Sequence, residues 1–127
     1  MTRRNVRAIV STVLAVIFVG IWTTAWAAAP LEKYTTLCAS CHGDSGKGNG
    51  PAADALKAVA KVRDFTDGTY MNGRTDAQLT KVIKEGGAAS GLSPLMAAFG
   101  SQLNDKEIKD ILAFIRSVAN PKYQPKK

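Results

Sequence analysis

Both cysteines and the only histidine of this 127-residue chain fall within five consecutive positions, Cys38-Ala39-Ser40-Cys41-His42. Every thiol and imidazole available for metal or redox chemistry is therefore committed to one short segment, and the fold has to present that segment. Glycines at 43, 46, 48 and 50, followed by Pro51, mark the next stretch as a loop.

The residues before the motif read as a targeting segment. Arg3, Arg4 and Arg7 form a basic start, residues 8–22 an apolar core, and Ala25 with Ala27 an A-x-A pattern. The expectation is a signal peptide over residues 1–27, cleaved near Ala27–Ala28, with a retained membrane anchor as the alternative. Export places the protein in the periplasm; retention would tether it to the inner membrane. Loss of the three arginines lowers the formal net charge from +7 to +4. The remaining lysines are scattered and not interleaved with aromatics, which argues against nucleic acid as a partner. With 46% apolar and 21% charged residues, the chain is neither disordered nor collagen-like. One domain is expected over residues 28–120, with a flexible basic tail at 121–127.

Helical periodicity dominates that domain. Leu31, Tyr34, Leu37 and Cys38 share one helical face, so a short helix should run into the motif. Residues 52–59 suit a brief helix, and residues 63–73 read as an irregular linker ending in an Asn-Gly turn. Thr75 with Gln78 forms a capping box for a helix stopped by Gly86-Gly87. Asn104 with Glu107 opens a second, whose apolar face is Ile108, Ile111, Leu112, Ile115 and Val118. Between them, residues 86–102 form a long loop of small residues carrying Met96. No period-2 run is evident, so the fold is expected to be all-α with three to five short helices.

This context sorts the readings of the motif. A phosphate-binding loop fails because Cys41 stands where the first glycine belongs and Gly48 follows Lys47. The G-x-G-x-x-A match at residues 48–53 has no preceding strand. Structural zinc would need a fourth ligand, and only a carboxylate is left to supply it. A redox dithiol would want a strand–helix–strand setting, although export permits a simple Cys38–Cys41 disulfide. Covalent haem accounts for more. C-x-x-C-H is a haem-attachment signature: two cysteines three apart on a helical turn can reach the two vinyl groups on one porphyrin edge, and the adjacent histidine projects onto the iron. With no second histidine and both thiols consumed, the other axial ligand falls to methionine. Met1 leaves with the signal; Met96, in the loop before the last helix, is favoured over Met71. Neutral imidazole and thioether ligands favour ferrous iron and fill both axial sites. That arrangement suits electron transfer, not enzymatic catalysis.

At this point the chain resembles the class I cytochromes c of bacterial periplasms. The resemblance runs from "YTTLCASCHGDSGKGNGP" through "MAAFG" to "LNDKEIKDILAFIRSV". It implies a cytochrome c-like fold around one haem c held through Cys38 and Cys41, with His42 and Met96 as axial ligands. It also implies that the Pro51 carbonyl accepts the other N–H of His42, and that the first and last helices cross, bringing Tyr34 and Leu37 to Ile111, Phe114 and Ile115. Many relatives have proline after the ligand methionine; here Ala97 follows Met96 and Pro94 precedes it, which suggests a less rigid loop.

The expected function is single-electron transfer between periplasmic redox proteins by a monomer. Lys47, Lys57, Lys61, Lys81 and Lys84 are candidates for steering acidic partners. The alternatives are a haem subunit of a larger or membrane-tethered oxidoreductase, and a ligand-binding haem protein with a labile methionine.

Overall fold

The computed structural model describes residues 29–124. The expected signal segment at 1–27 and the last three residues of the expected tail lie outside the described residues. All regular structure among the described residues is helical. It comprises α1 (Ala29–Leu37), α2 (Ala39–His42), α3 (Ala53–Leu56), α4 (Gly68–Asn72), α5 (Asp76–Glu85), a 3-10 turn (Ala88–Ser90) and α6 (Asp105–Val118). No helix among them is long and apolar enough to cross a membrane.

The two helices with capping boxes form as the sequence indicates. Thr75 accepts the Gln78 N–H while Gln78 accepts the Thr75 N–H; Asn104 and Glu107 do the same for α6. Each cap satisfies backbone donors that a helix start otherwise leaves open. The helix count exceeds the expected three to five because several elements are single turns. The stretch predicted as irregular linker contains α4, capped by the Asp67 carboxylate, which accepts the Tyr70 N–H at 3.1 Å. A five-residue helix shows too little periodicity to be read from its apolar positions.

The core is organised by α6. Ile108, Ile111, Leu112 and Ile115 are buried along one face and meet Tyr34, Ala39, Met71, Ile83 and Leu103. Burial of each large aliphatic side chain contributes about 1.5–3 kcal/mol. Helix α1 crosses α6, and the Tyr34 and Phe114 rings pack with centroids 4.4 Å apart. The crossing of the first and last helices is therefore as the resemblance implies.

The segment after α6 is laid against α4. The Asn120 N–H donates to Thr66 O and the Asn120 carbonyl accepts the Gly68 N–H, both at 3.0 Å. Asn72 reaches the Pro121 and Lys122 carbonyls, and the Arg116 guanidinium lies 3.7 Å from the centre of the Tyr123 ring. Residues 121–123 of the expected tail are thus engaged with the domain.

Candidate functional site

Helices α1 and α2 are one run interrupted at Cys38, whose N–H still bonds to Tyr34 O at 2.8 Å. The Cys41 and His42 N–H groups both turn back to Cys38 O, so the C-x-x-C-H segment is a tight helical turn. Its end is fixed from outside: the buried Tyr34 hydroxyl donates to Gly43 O at 2.8 Å. Burial pushes the Tyr34 phenol well above its ordinary range, so it stays a donor. Both cysteines are half-buried free thiols, and burial, with Cys41 adjacent, raises Cys38 to about 11.

His42 is held on two sides. The residue is 8% exposed and its ring stacks on Phe65, with centroids 4.3 Å apart and planes 16° from parallel. Nδ1 lies 3.0 Å from Arg63 O. A carbonyl can only accept, so Nδ1 carries the proton and Nε2 keeps its lone pair. Burial also lowers the histidine's pKa, against the opposing pull of the Arg63 carbonyl, which favours the neutral ligand form.

This corrects the role expected of Pro51. The Gly50 N–H bonds to Cys41 O and the Ala52 N–H to Ser40 O, which lays the intervening proline on the outer side of α2. Pro51 is exposed and lines a separate, open pocket with Thr35, Ser40 and Asp44. The chain must travel a further loop and α3 before a carbonyl, that of Arg63, reaches the histidine. No side-chain pattern marks that bond, because the acceptor is main chain.

His42 and Cys41 form part of the wall of a cavity of about 590 Å³. Leu79, Val82 and Ile83 of α5 supply apolar wall, and Met96 lines the same cavity from the long loop. Met71 also reaches it but is 1% exposed and belongs to the core cluster. Of the five lysines singled out, Lys61 and Lys81 line the cavity and Lys47, Lys57 and Lys84 do not. Lys57 and Lys84 are paired with Asp54 and Asp105.

The Met96 loop is anchored despite lacking proline after the methionine. Gly86, with φ of 83°, ends α5, and the chain doubles back so that Phe99 and Gly100 donate to Ile83 O and Lys84 O at 2.9 and 3.1 Å. The Gly87 N–H donates to Met96 O at 2.9 Å and Gly87 O accepts the Leu92 N–H at 2.8 Å. The otherwise open carbonyls at the end of α5 thus become the loop's attachment points.

The residues present fit a haem. Two thiols and an imidazole with a free Nε2 adjoin an apolar cavity that carries a thioether elsewhere on its wall. The buried Ser90 hydroxyl, which also lines it, has no partner among the described residues. Helices wrapped in this order about such a cavity, with the attachment turn at its wall, define a class I c-type cytochrome. A family model described as cytochrome c oxidase, cbb3-type, subunit III, matches residues 25–115, and the chain belongs to that family. It is accordingly a haem c protein of the electron-transfer type.

Two known proteins are similar to it. The cbb3-type cytochrome c oxidase subunit FixP of Azorhizobium caulinodans is 26% identical over 87 residues, covering 68% of this chain and 25% of FixP. The chain thus spans about a quarter of that relative's length. The solved structure titled KustC0563 c-type cytochrome superposes with a TM-score of 0.57 at 23% identity, covering 72% of this chain and 98% of that one. That likeness shows the shared fold.

Proposed function

We propose that the protein is a non-enzymatic, single-electron carrier in which Cys38 and Cys41 hold one haem by thioether bonds and His42 and Met96 are its axial ligands. The observation that carries this reading is the pinned imidazole. Arg63 O fixes the Nδ1 proton, so Nε2 is the ring's remaining donor, on a cavity that Met96 also lines. When bound, haem c supplies an iron that accepts and releases one electron. The chain's residues attach it, orient the proximal ring and exclude water. Phe65 stacking restrains the imidazole plane, and the Arg63 carbonyl makes the imidazole a stronger donor. Periplasmic location, a monomeric state and redox-protein partners belong to the same reading. Lys61 and Lys81, beside the cavity, are the lysines best placed to steer an acidic partner.

A second reading is favoured by the similarity to FixP: the chain serves as the haem domain of a larger or membrane-tethered oxidoreductase. Copurification and sequencing of the mature N-terminus separate the two. The ligand assignment is tested by replacing each methionine in the haem-loaded protein. Met96→Ala should abolish the far-red absorption of thioether-ligated ferric haem and open the reduced protein to carbon monoxide. Met71→Ala should keep that absorption while losing stability by about 2–5 kcal/mol. The reverse pattern would transfer the ligand role to Met71.

A further inference from the structure

Residues 61–64 carry the acceptor for the His42 ring, yet none of their N–H or carbonyl groups joins a main-chain hydrogen bond among the described residues. A segment without such bonds takes its position from whatever it lies against. Here that is the loop after the attachment turn. The Phe65 N–H donates to Gly46 O at 2.7 Å, which docks the end of the segment. Gly48 touches the acceptor itself: a Cβ there would sit 2.9 Å from Val62 O, 3.1 Å from Arg63 O and 3.2 Å from the Arg63 carbonyl carbon. Its φ is 71°, a left-handed backbone that favours glycine. The same residue also holds the histidine, because its N–H donates to His42 O at 2.8 Å. Position 48 therefore meets the backbone of the ring's own residue and the carbonyl to which that ring donates.

We infer that Gly48 is a positioning residue, which sets the hydrogen bond from His42 Nδ1 to Arg63 O and thereby how strongly the imidazole donates to iron. The inference rests on the haem reading above and names what fixes the strength of the histidine ligand. Gly46, also left-handed, plays a different part: the nearest neighbours of a Cβ there would be the Phe65 and Val118 side chains, not a carbonyl. A side chain at position 48 would press on main chain, which has no flexible end to swing aside. The Nδ1–O distance is 3.0 Å and has little room to shorten, so relief lengthens or tilts the bond. A weaker bond makes the imidazole a poorer donor, and a poorer donor stabilises ferric iron less. Reduction then becomes easier.

The test compares haem-loaded Gly48→Ala with Gly91→Ala. Gly91 has φ of 67°, and a Cβ there would meet nothing within 4 Å, so its replacement carries the backbone strain alone. Both variants should melt at a lower temperature than the wild type. Only Gly48→Ala should move the His42 ring N–H resonance of the reduced protein upfield. It should also raise the equilibrium constant for reduction about two- to tenfold, as when part of one hydrogen bond is lost from the oxidised form. Gly91→Ala should leave the resonance in place and change the constant less than about twofold. A Gly48→Ala protein whose resonance stays in place, or whose reduction matches Gly91→Ala, would overturn the inference. If Gly48→Ala does not mature, hydrogen exchange in the haem-loaded wild type decides. The His42 ring N–H and the Gly48 N–H should then exchange with the same denaturant dependence, because one movement breaks both bonds. A ring N–H that exchanges freely while Gly48 stays protected would overturn it too. A wild-type protein with no covalent haem would instead overturn the reading beneath it.

Discussion

Gly87→Ala isolates the packing that places Met96. The backbone at Gly87 has φ of −67° and ψ of −41°, which alanine adopts without strain, so any destabilisation is steric. A Cβ there would overlap the Ser93 carbonyl oxygen and sit 3.1 Å from Met96 Cβ. The Ser93 clash is with backbone, so relief requires the loop itself to move away from α5. That movement breaks or lengthens the 2.9 Å bond from Gly87 N–H to Met96 O. Overpacking of this kind costs about 1–3 kcal/mol. If the cost falls on the ligand-bound state, methionine ligation weakens about 5- to 150-fold. If it falls on the fold, the Tm drops about 4–8 °C per kcal/mol. The assay is titration of the haem-loaded protein with a competing axial ligand, read by absorption, alongside thermal unfolding. Gly73→Ala is the control: φ is −74° and the nearest outside atom to its Cβ is Tyr70 O at 3.3 Å. It should be neutral to within about 1 kcal/mol. A Gly87→Ala protein with wild-type Tm and wild-type resistance to the competing ligand would refute the argument that this contact positions Met96.

Two further changes probe what holds the frame. Tyr34→Phe keeps the ring against Phe114 but leaves the Gly43 carbonyl with the Gly46 N–H alone; it should cost about 0.5–1.5 kcal/mol in denaturant unfolding with haem content unchanged. Arg116→Ala removes donors from the Met71 and Arg74 carbonyls, both bonded at 2.6 Å, and should cost about 2–4 kcal/mol. Asp76→Ala, which removes only the exposed ion-pair partner, should cost under about 1 kcal/mol.

What the sequence made legible follows the range of the forces involved. The attachment turn, the two capping boxes and the apolar face of α6 are set by neighbours within a few positions, and their spacing is visible directly. Gly86-Gly87 is readable as a helix stop, but its packing on Met96 is a contact between distant turns. Helix α4 is one turn held by an Asp67 cap and by Asn120, and so carries no period of its own. The Arg63 carbonyl is invisible for another reason: every residue has one, and only tertiary structure selects which meets His42. The family resemblance implies Pro51 for that role, whereas the backbone bonds of Gly50 and Ala52 turn it outward.

The way the Met96 loop is tied down also bears on motion. Its N–H groups at Phe99 and Gly100 are bonded to the last carbonyls of α5, and Gly87 is bonded to both Met96 and Leu92. Peeling that loop from the cavity therefore unravels a helix end as well, making one cooperative opening of two local ones. The rate at which the methionine side of the cavity admits another ligand then depends on how firmly α5 ends. A substitution in that last turn, with no contact to the cavity, would act on it like a change of spring in a latch.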